Sequence, residues 1–587
     1  MEAIKKDEEI VAQQAVEFWS TLCDEEMYLQ EEAEEAAEQK IQPSRQSQNF
    51  IRGAMKYLVP LLTETLTRQE DEPDEDTWNV AMAAGTCLAL VAMTVGDEVV
   101  AFVMPFVQQY INNENWKYRE AATLAFGAIL EGPKGYLSQL ITQAIPVLLQ
   151  HMNDSVVYVK DTTAWTLGRV CQLHPHTVGA YLPNLITVMG EHLVDNPRVA
   201  ANVCWAVHNL ALAYEDDQDK QTSALSPFFQ NLVGQLLQTT EREDSDESNL
   251  RCSAYEAINV LIQNGAKDTH ALILQLIPIF ADRLEKTFSL QILSQDDREA
   301  QSELQSLLCG VLQVITQKLG EQIKPYSDKL MTLFLQVFNV KSASVHEEAL
   351  MAVGAIANAV EGDFEKYMNH FRGVLTLGLK TYEEHQVCSV AVGVVGDIAR
   401  ALGPKILPYC DEIVQLLLQD LQNPLLNRNV KPPILSCFGD LALAVSGEFV
   451  KYLNVVMTML QQASTTTVDT NDIDLVDYLN QLREGIFEAY TGIIQGLRSD
   501  NQGDQFLPYV NHVVSFVGFV SQDAYRTESV TRAALGVLGD LAHALGSKVK
   551  PALQQPFVKV LITECLNSDS GQTQDVGRWA KEVINKL

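Results

Sequence analysis

Positive charge is scarce in this chain. Its 587 residues hold 42 Lys and Arg against 76 Asp and Glu, a formal net charge of −34 at pH 7. A surface this negative repels nucleic-acid phosphates and acidic membranes and favours basic partners. Paired cysteines are also lacking. The ten Cys are scattered and none forms a C-x-x-C pair, so they read as free thiols of a reducing compartment, cytosol or nucleus. No uninterrupted apolar run reaches the length of a membrane helix. The nearest, Cys87–Val95, is too short, and no membrane insertion is expected. Nothing apolar follows Lys5-Lys6, so no secretory signal is visible. Catalytic signatures are missing too: there is no P-loop, G-x-G-x-x-G, H-E-x-x-H or G-x-S-x-G. His174-Pro175-His176 lacks Cys or carboxylate ligands at metal spacing and reads as a turn. No enzyme, no metal and no cofactor is expected.

What the chain does have is repetition. A charged or polar residue, a small or apolar residue three positions on, and Gly eight positions on recur as Arg119/Ala122/Gly127, Lys160/Thr163/Gly168, His346/Ala349/Gly354, Cys388/Ala391/Gly396, Lys431/Ile434/Gly439 and Thr531/Ala534/Gly539. With weaker copies between them, units of about 45 residues fill the chain about thirteen times. Each unit pairs a Leu-rich helix, often entered through Pro as at Leu182-Pro183, with an Ala- and Gly-bearing second helix. Strand signals are nearly absent. The expected fold is all-α: a HEAT-repeat α-solenoid, a right-handed superhelix of about 13 repeats over 1–587, with no separate globular domains. Three segments interrupt it: an acidic loop at 70–79 in the second repeat, an acidic inter-helix insertion at 240–249 and a polar one at 464–474.

A solenoid offers an extended face, so binding is its default role. Two patterns suggest what it binds. In the first, Asp71, Glu72, Asp74, Glu75 and Asp76, in a run interrupted by Pro73, precede Trp78 and offer a cation both carboxylates and a π face. The second lies on the second helices, where positions +1, +5 and +9 from each repeat's first marker share a face. On it fall Glu120, Asp161, Trp165, Trp205 and Asn209, with Asn202 beside Trp205. Further acidic contacts are expected at Glu256, Glu347, Asp397, Asp440 and Asp540. Indoles alternating with carboxylates and amides suit a chain of Arg and Lys, although Trp165 and Trp205 also fit a core role. Trp116 reads as packing at a turn. Trp579 either caps the last repeat or closes the far end of the groove.

These residues resemble importin-β, the karyopherin-β family of nuclear import receptors. The likeness is carried by Glu17-Phe18-Trp19-Ser20 with Cys23-Asp24-Glu25-Glu26, by Asp76-Thr77-Trp78-Asn79, and by Trp116-Lys117-Tyr118-Arg119-Glu120-Ala121-Ala122. Asp161-Thr162-Thr163-Ala164-Trp165-Thr166-Leu167-Gly168-Arg169 and Asn202-Val203-Cys204-Trp205-Ala206 extend it. The resemblance implies a receptor that wraps the basic N-terminal segment of importin-α, and similar basic cargo signals, on an acidic, Trp-lined concave face. It adds Asp24 and Glu25 to the contacts expected at Glu120, Asp161, Trp78, Trp165, Trp205 and Trp579. It implies Phe-Gly nucleoporins and RanGTP as further partners, and a place in cytoplasm and nucleus, at the nuclear pore. The family has nineteen repeats. About thirteen here imply a C-terminal portion lacking about six N-terminal ones, in which RanGTP binding is weakened or lost. The alternative is a non-transport HEAT scaffold subunit that binds a folded protein.

Overall fold

The repeat pattern becomes antiparallel helix pairs. The computed structural model describes residues 1–38, 41–43, 45–69, 78–135 and 137–587, and among these it contains helices and no strand. The acidic residues Asp71, Glu72, Asp74, Glu75 and Asp76 lie outside the described residues. The chain forms two compact units, Met1–Leu272 and Ile273–Leu587, whose boundary falls inside the helix His270–Thr287.

In the first unit the second helices of successive repeats are Glu9–Glu38, Val80–Val95, Trp116–Ala128, Val157–Leu173, Pro197–Leu212 and Leu250–Asn264. In the second unit they are Gln295–Leu319, Ala343–Val360, His385–Leu402, Lys431–Val445, Ile473–Ser499, Glu528–Leu545 and Gly571–Asn585. They pack side by side in sequence order, while consecutive first helices touch far less. Close second helices and splayed first helices put the second-helix layer on the inner side of each unit. The marker residues explain part of this order. Arg119 places Nε 2.7 Å from Asp154 and Nη2 2.9 Å from the same carboxylate, and Lys160 Nζ lies 2.5 Å from Asp195. Each cation thus pins the inter-helix turn of the next repeat, with both partners largely withdrawn from water.

Between the helices Phe229–Thr239 and Leu250–Asn264 the acidic stretch at 241–247 is a folded turn. Arg242 donates to the carbonyls of Leu193 and Asp195 (2.7 Å each), and Arg251 donates to the buried Ser245 hydroxyl at 2.7 Å. The membrane-length argument needs correction. Val80–Tyr110, His385–Gln422 and Arg428–Ala463 are long and apolar enough, by length and composition, to cross a membrane. An unbroken-run criterion misses them because small and polar residues interrupt their apolar stretches. Each is two helices about a reversal, at Gly96 (φ 66°), Gly403 (φ 52°) and Ser446 (φ 51°).

That reversal is a shared device. The residue after several second helices has positive φ, which glycine adopts without a Cβ clash. Glu361 stands in the same place with φ 50° and ψ −130°, closing Ala343–Val360. An L-residue there is strained by about 1 kcal/mol or more. Glu361→Gly is therefore expected to stabilise the chain by about 1 kcal/mol, read as a higher thermal midpoint; an unchanged or lower midpoint would show that the strain is absorbed elsewhere.

Candidate basic-segment binding wall

The inner helices bring the tryptophans to glycine gaps. A Cβ on Gly127 would sit 2.5 Å from Trp165 Cζ3, and one on Gly168 would sit 2.5 Å from Trp205 Cζ3. Each indole of one repeat therefore lodges its six-membered edge against the glycine of the repeat before. Gly168 follows Trp165 by one turn, so Trp205 seats just beyond Trp165 on the same helix. Both rings are half-buried. In the second unit the same gap takes a carboxylate. Asp397 Oδ2 would meet a Cβ on Gly354, and Asp440 Oδ2 one on Gly396, at 2.5 Å each. Trp579, half-buried, fills the gap at Gly539, so the last helix pair ends as the tryptophan repeats do.

Glu120 and Asp161 at +1, and Asn209 and Asp540 at +9, do not stand on the open face as expected. Glu120 is buried, accepting from Thr162 Oγ1 at 2.8 Å and from Gln69 Nε2. Burial pushes its carboxyl up to about 7, against the pull of those two donors. Asp161 is buried as well, accepting from Arg198 Nε and Asn202 Nδ2 at 2.6 Å each. Asn209 is buried and donates to the Trp205 carbonyl at 3.0 Å, one turn back along its own helix. Asp540 is buried against Gln495, 3.0 Å away, and burial raises it to about 6. The physical reason is stacking. The inner helices of neighbouring repeats cover sides that a single-helix projection shows as open: the next helix over Glu120 and Asp161, the preceding one over Asp540.

The remaining residues keep some access to solvent. Trp78 is 52% exposed, with its carbonyl fixed by Gln13 Nε2 at 3.0 Å just before the Asn79 cap of Val80–Val95. Asp24 and Glu25 are exposed on Glu9–Glu38, and Glu25 pairs with Arg45 at 3.1 Å. Glu256 is exposed, and Glu347, Asp397 and Asp440 are half-buried. Trp116 opens its helix and stacks on Tyr158 of the next repeat, centroids 5.4 Å apart, with Arg198 5.8 Å from the Tyr158 ring. His174 Nε2 lies 2.7 Å from the Leu130 carbonyl.

Sequence reasoning missed the arginines of this wall. Arg169 lies 6.0 Å from the Trp165 ring centre and pairs with Glu131 at 2.8 Å. Arg198 holds Asp161. Arg400 bridges Asp397 (2.7 Å) and Asp440 (2.8 Å) across two repeats. The signal was there: Arg169 follows Trp165 by four residues, and Arg400 follows Asp397 by three, both on one helix face.

Two expectations follow. Gly168→Ala would force the Trp205 edge out of its seat and cost about 1–3 kcal/mol, visible as a lower unfolding midpoint and an altered indole emission; an unchanged emission would place Trp205 elsewhere. The second concerns pH. The folded Glu120 carboxyl binds its proton more tightly than in the unfolded chain, as does Glu348, which burial also raises to about 7. Their contribution is full below the unfolded value near 4.5 and is lost as pH rises through about 7. Glu120→Gln should remove on the order of 2 kcal/mol of that decline between pH 5 and pH 8 in urea titrations. An undiminished slope would rule Glu120 out as its source.

Comparison with known proteins identifies the family of the chain. Residues 184–566 match the family model for importin subunit beta-1-like TPR repeats, and 116–170 match a HEAT-like repeat. The chain is 45% identical to importin subunit beta-1 of Arabidopsis thaliana, covering all of this chain and 69% of that protein. It is 43% identical to importin subunit beta-1 of Schizosaccharomyces pombe, covering 98% of this chain and 68% of that one. A crystal structure of importin beta from an ammonium sulfate condition superposes with a TM-score of 0.95 at 34% identity, covering 100% of this chain and 68% of that chain. With its paired-helix repeats and tryptophans seated along the inner helices, the chain belongs to the importin subunit beta-1 family of nuclear import receptors.

Proposed function

We propose that the inner wall receives an extended, Arg- and Lys-rich segment such as the N-terminal segment of importin-α or a similar basic cargo signal. The observation that supports this most directly is the seating of Trp165 and Trp205. One edge of each half-buried indole is spent on a glycine gap, and the ring itself stands on the second-helix layer where a basic side chain could reach it. Asn202 and Asp161 stand beside the rings, and Trp78, Asp24, Glu25 and Glu256 add exposed aromatic and acidic groups within the same unit. Glu120 and Asn209 act through the residues they position. Trp579, Glu347, Asp397, Asp440 and Asp540 belong to the second unit, where the exposed portions of the first four extend the same chemistry. Asp71, Glu72, Asp74, Glu75 and Asp76 supply local negative charge before Trp78. The charge of −34 speeds encounter with a basic segment and makes it salt-sensitive. A wall of indole, amide and carboxylate suits a basic ligand better than the folded, apolar-faced partner of a scaffold subunit.

The first-helix layer has a different character. One groove there is lined by Met104, Val107, Ile111, Leu140, Ala144 and Val147, and a larger one of about 630 Å³ by Phe338, Leu350, Val374 and Leu377 among others. Apolar grooves between helices fit single Phe side chains of Phe-Gly nucleoporins. Solved relatives at 32% identity include a Kap95:Nup1 complex (TM-score 0.90) and Kap95p with RanGDP (TM-score 0.71). Transport between cytoplasm and nucleus through the pore follows from such contacts.

The test is titration calorimetry of the importin-α N-terminal segment at two salt concentrations, beside Trp165→Ala/Trp205→Ala. Two lost cation–π contacts predict binding weaker by about tenfold or more. Wild-type affinity should also fall steeply with salt. Affinity that survives both changes would return the tryptophans to the core.

A further inference from the structure

The cradle that Trp165 would offer a ligand is already filled from within. Arg169 stands over that indole at 6.0 Å, with Nη2 2.8 Å from Glu131 Oε2 and Nη1 3.2 Å from Gln172 Oε1. Its side chain is only 17% exposed. An aromatic face with a carboxylate at its edge is the contact set that a ligand guanidinium requires. The seat is also imperfect for its present occupant. Among the described residues Arg169 Nε is buried without a hydrogen-bond partner, which costs free energy as long as the guanidinium stays there. Glu131, 42% exposed, sits where the helix Trp116–Ala128 runs out into a turn, so the strap across the ring comes from the preceding repeat.

We propose that Arg169 is a placeholder for a basic ligand. It keeps the Trp165–Glu131 cradle satisfied while the wall is empty, and an incoming Arg must displace it to bind. Resting on the basic-segment reading above, this makes Arg169 a positioning residue that sets affinity and selects ligands dense enough in Arg to compete. The released Arg169 then reaches solvent, as a long side chain on a half-buried position can. A wall built this way resists isolated surface lysines, whose point charge does not replace a planar fork lying on an indole.

The experiment measures the Kd of a fluorescein-labelled Arg-rich peptide at fixed ionic strength. The chains compared are wild type, Arg169→Gln, Trp165→Ala and Lys559→Gln, the last an exposed first-helix lysine that controls for loss of one positive charge. Arg169→Gln should bind about two- to fivefold tighter than Lys559→Gln, the worth of one cation–π contact and one exposed ion pair no longer displaced. Trp165→Ala should bind more weakly than wild type. A Kd for Arg169→Gln equal to or weaker than that of Lys559→Gln, with Trp165→Ala still impaired, overturns the placeholder and leaves the wall standing. If wild type fails to bind, binding gained by Arg169→Gln supports the placeholder, and binding by neither chain overturns both readings. Thermal unfolding checks that the variants fold. Should Arg169→Gln not fold, Arg169→Lys keeps the charge and loses the fork; a Kd between wild type and twofold tighter is expected, and one weaker than wild type overturns the proposal.

Discussion

The close approach of one inner helix to the next governs each unit. It is possible because a glycine eight positions into one second helix leaves a gap, and a side chain of the next repeat enters it. Ridges that would otherwise hold the helices apart are missing at that point, so the inner layer closes up while the first helices remain splayed. What enters the gap varies: an indole at Gly127, Gly168 and Gly539, a carboxylate at Gly354 and Gly396. A repeat protein is held by contacts between neighbours, so this one contact serves both cohesion and the chemistry of the inner wall.

The same economy explains how a chain of −34 keeps its inner acids quiet. Local neutralisation and long-range charge are separate. Arg198 and Arg400 sit on Asp161 and Asp397/Asp440, satisfying groups whose desolvation would otherwise go uncompensated. At Glu120 and Asp540 burial outweighs the pull of nearby arginines and raises the carboxyl, and neutral donors from Thr162, Gln69 and Gln495 hold it. The excess negative charge that remains is carried by solvated groups, where it does not strain the core.

The fold class and the repeat period were legible because both rest on local periodicity. The small residue at +3 and glycine at +8 recur whatever lies around them, and Asn, Ser or Asp side chains cap six of the second helices at their N-termini. The family was legible too, because its markers are short contiguous strings such as those around Trp116, Trp165 and Trp205. Trp165 and Trp205, singled out at +5, lie half-buried on the second-helix layer.

What one helix could not reveal is which of its faces the next repeat covers. A helical wheel shows +1 as open; stacking buries Glu120 and Asp161 there, and buries Asn209 at +9. The pairing of Arg169 with Trp165 and Glu131, and of Arg400 with two carboxylates, depends on side chains meeting across repeats some forty residues apart. Sequence alone therefore determined the helices, their period and the family, because those follow from local pattern. The tertiary structure decided which acids are free, which are held and where the indoles seat, because desolvation and pairing are set by neighbours that only folding brings together.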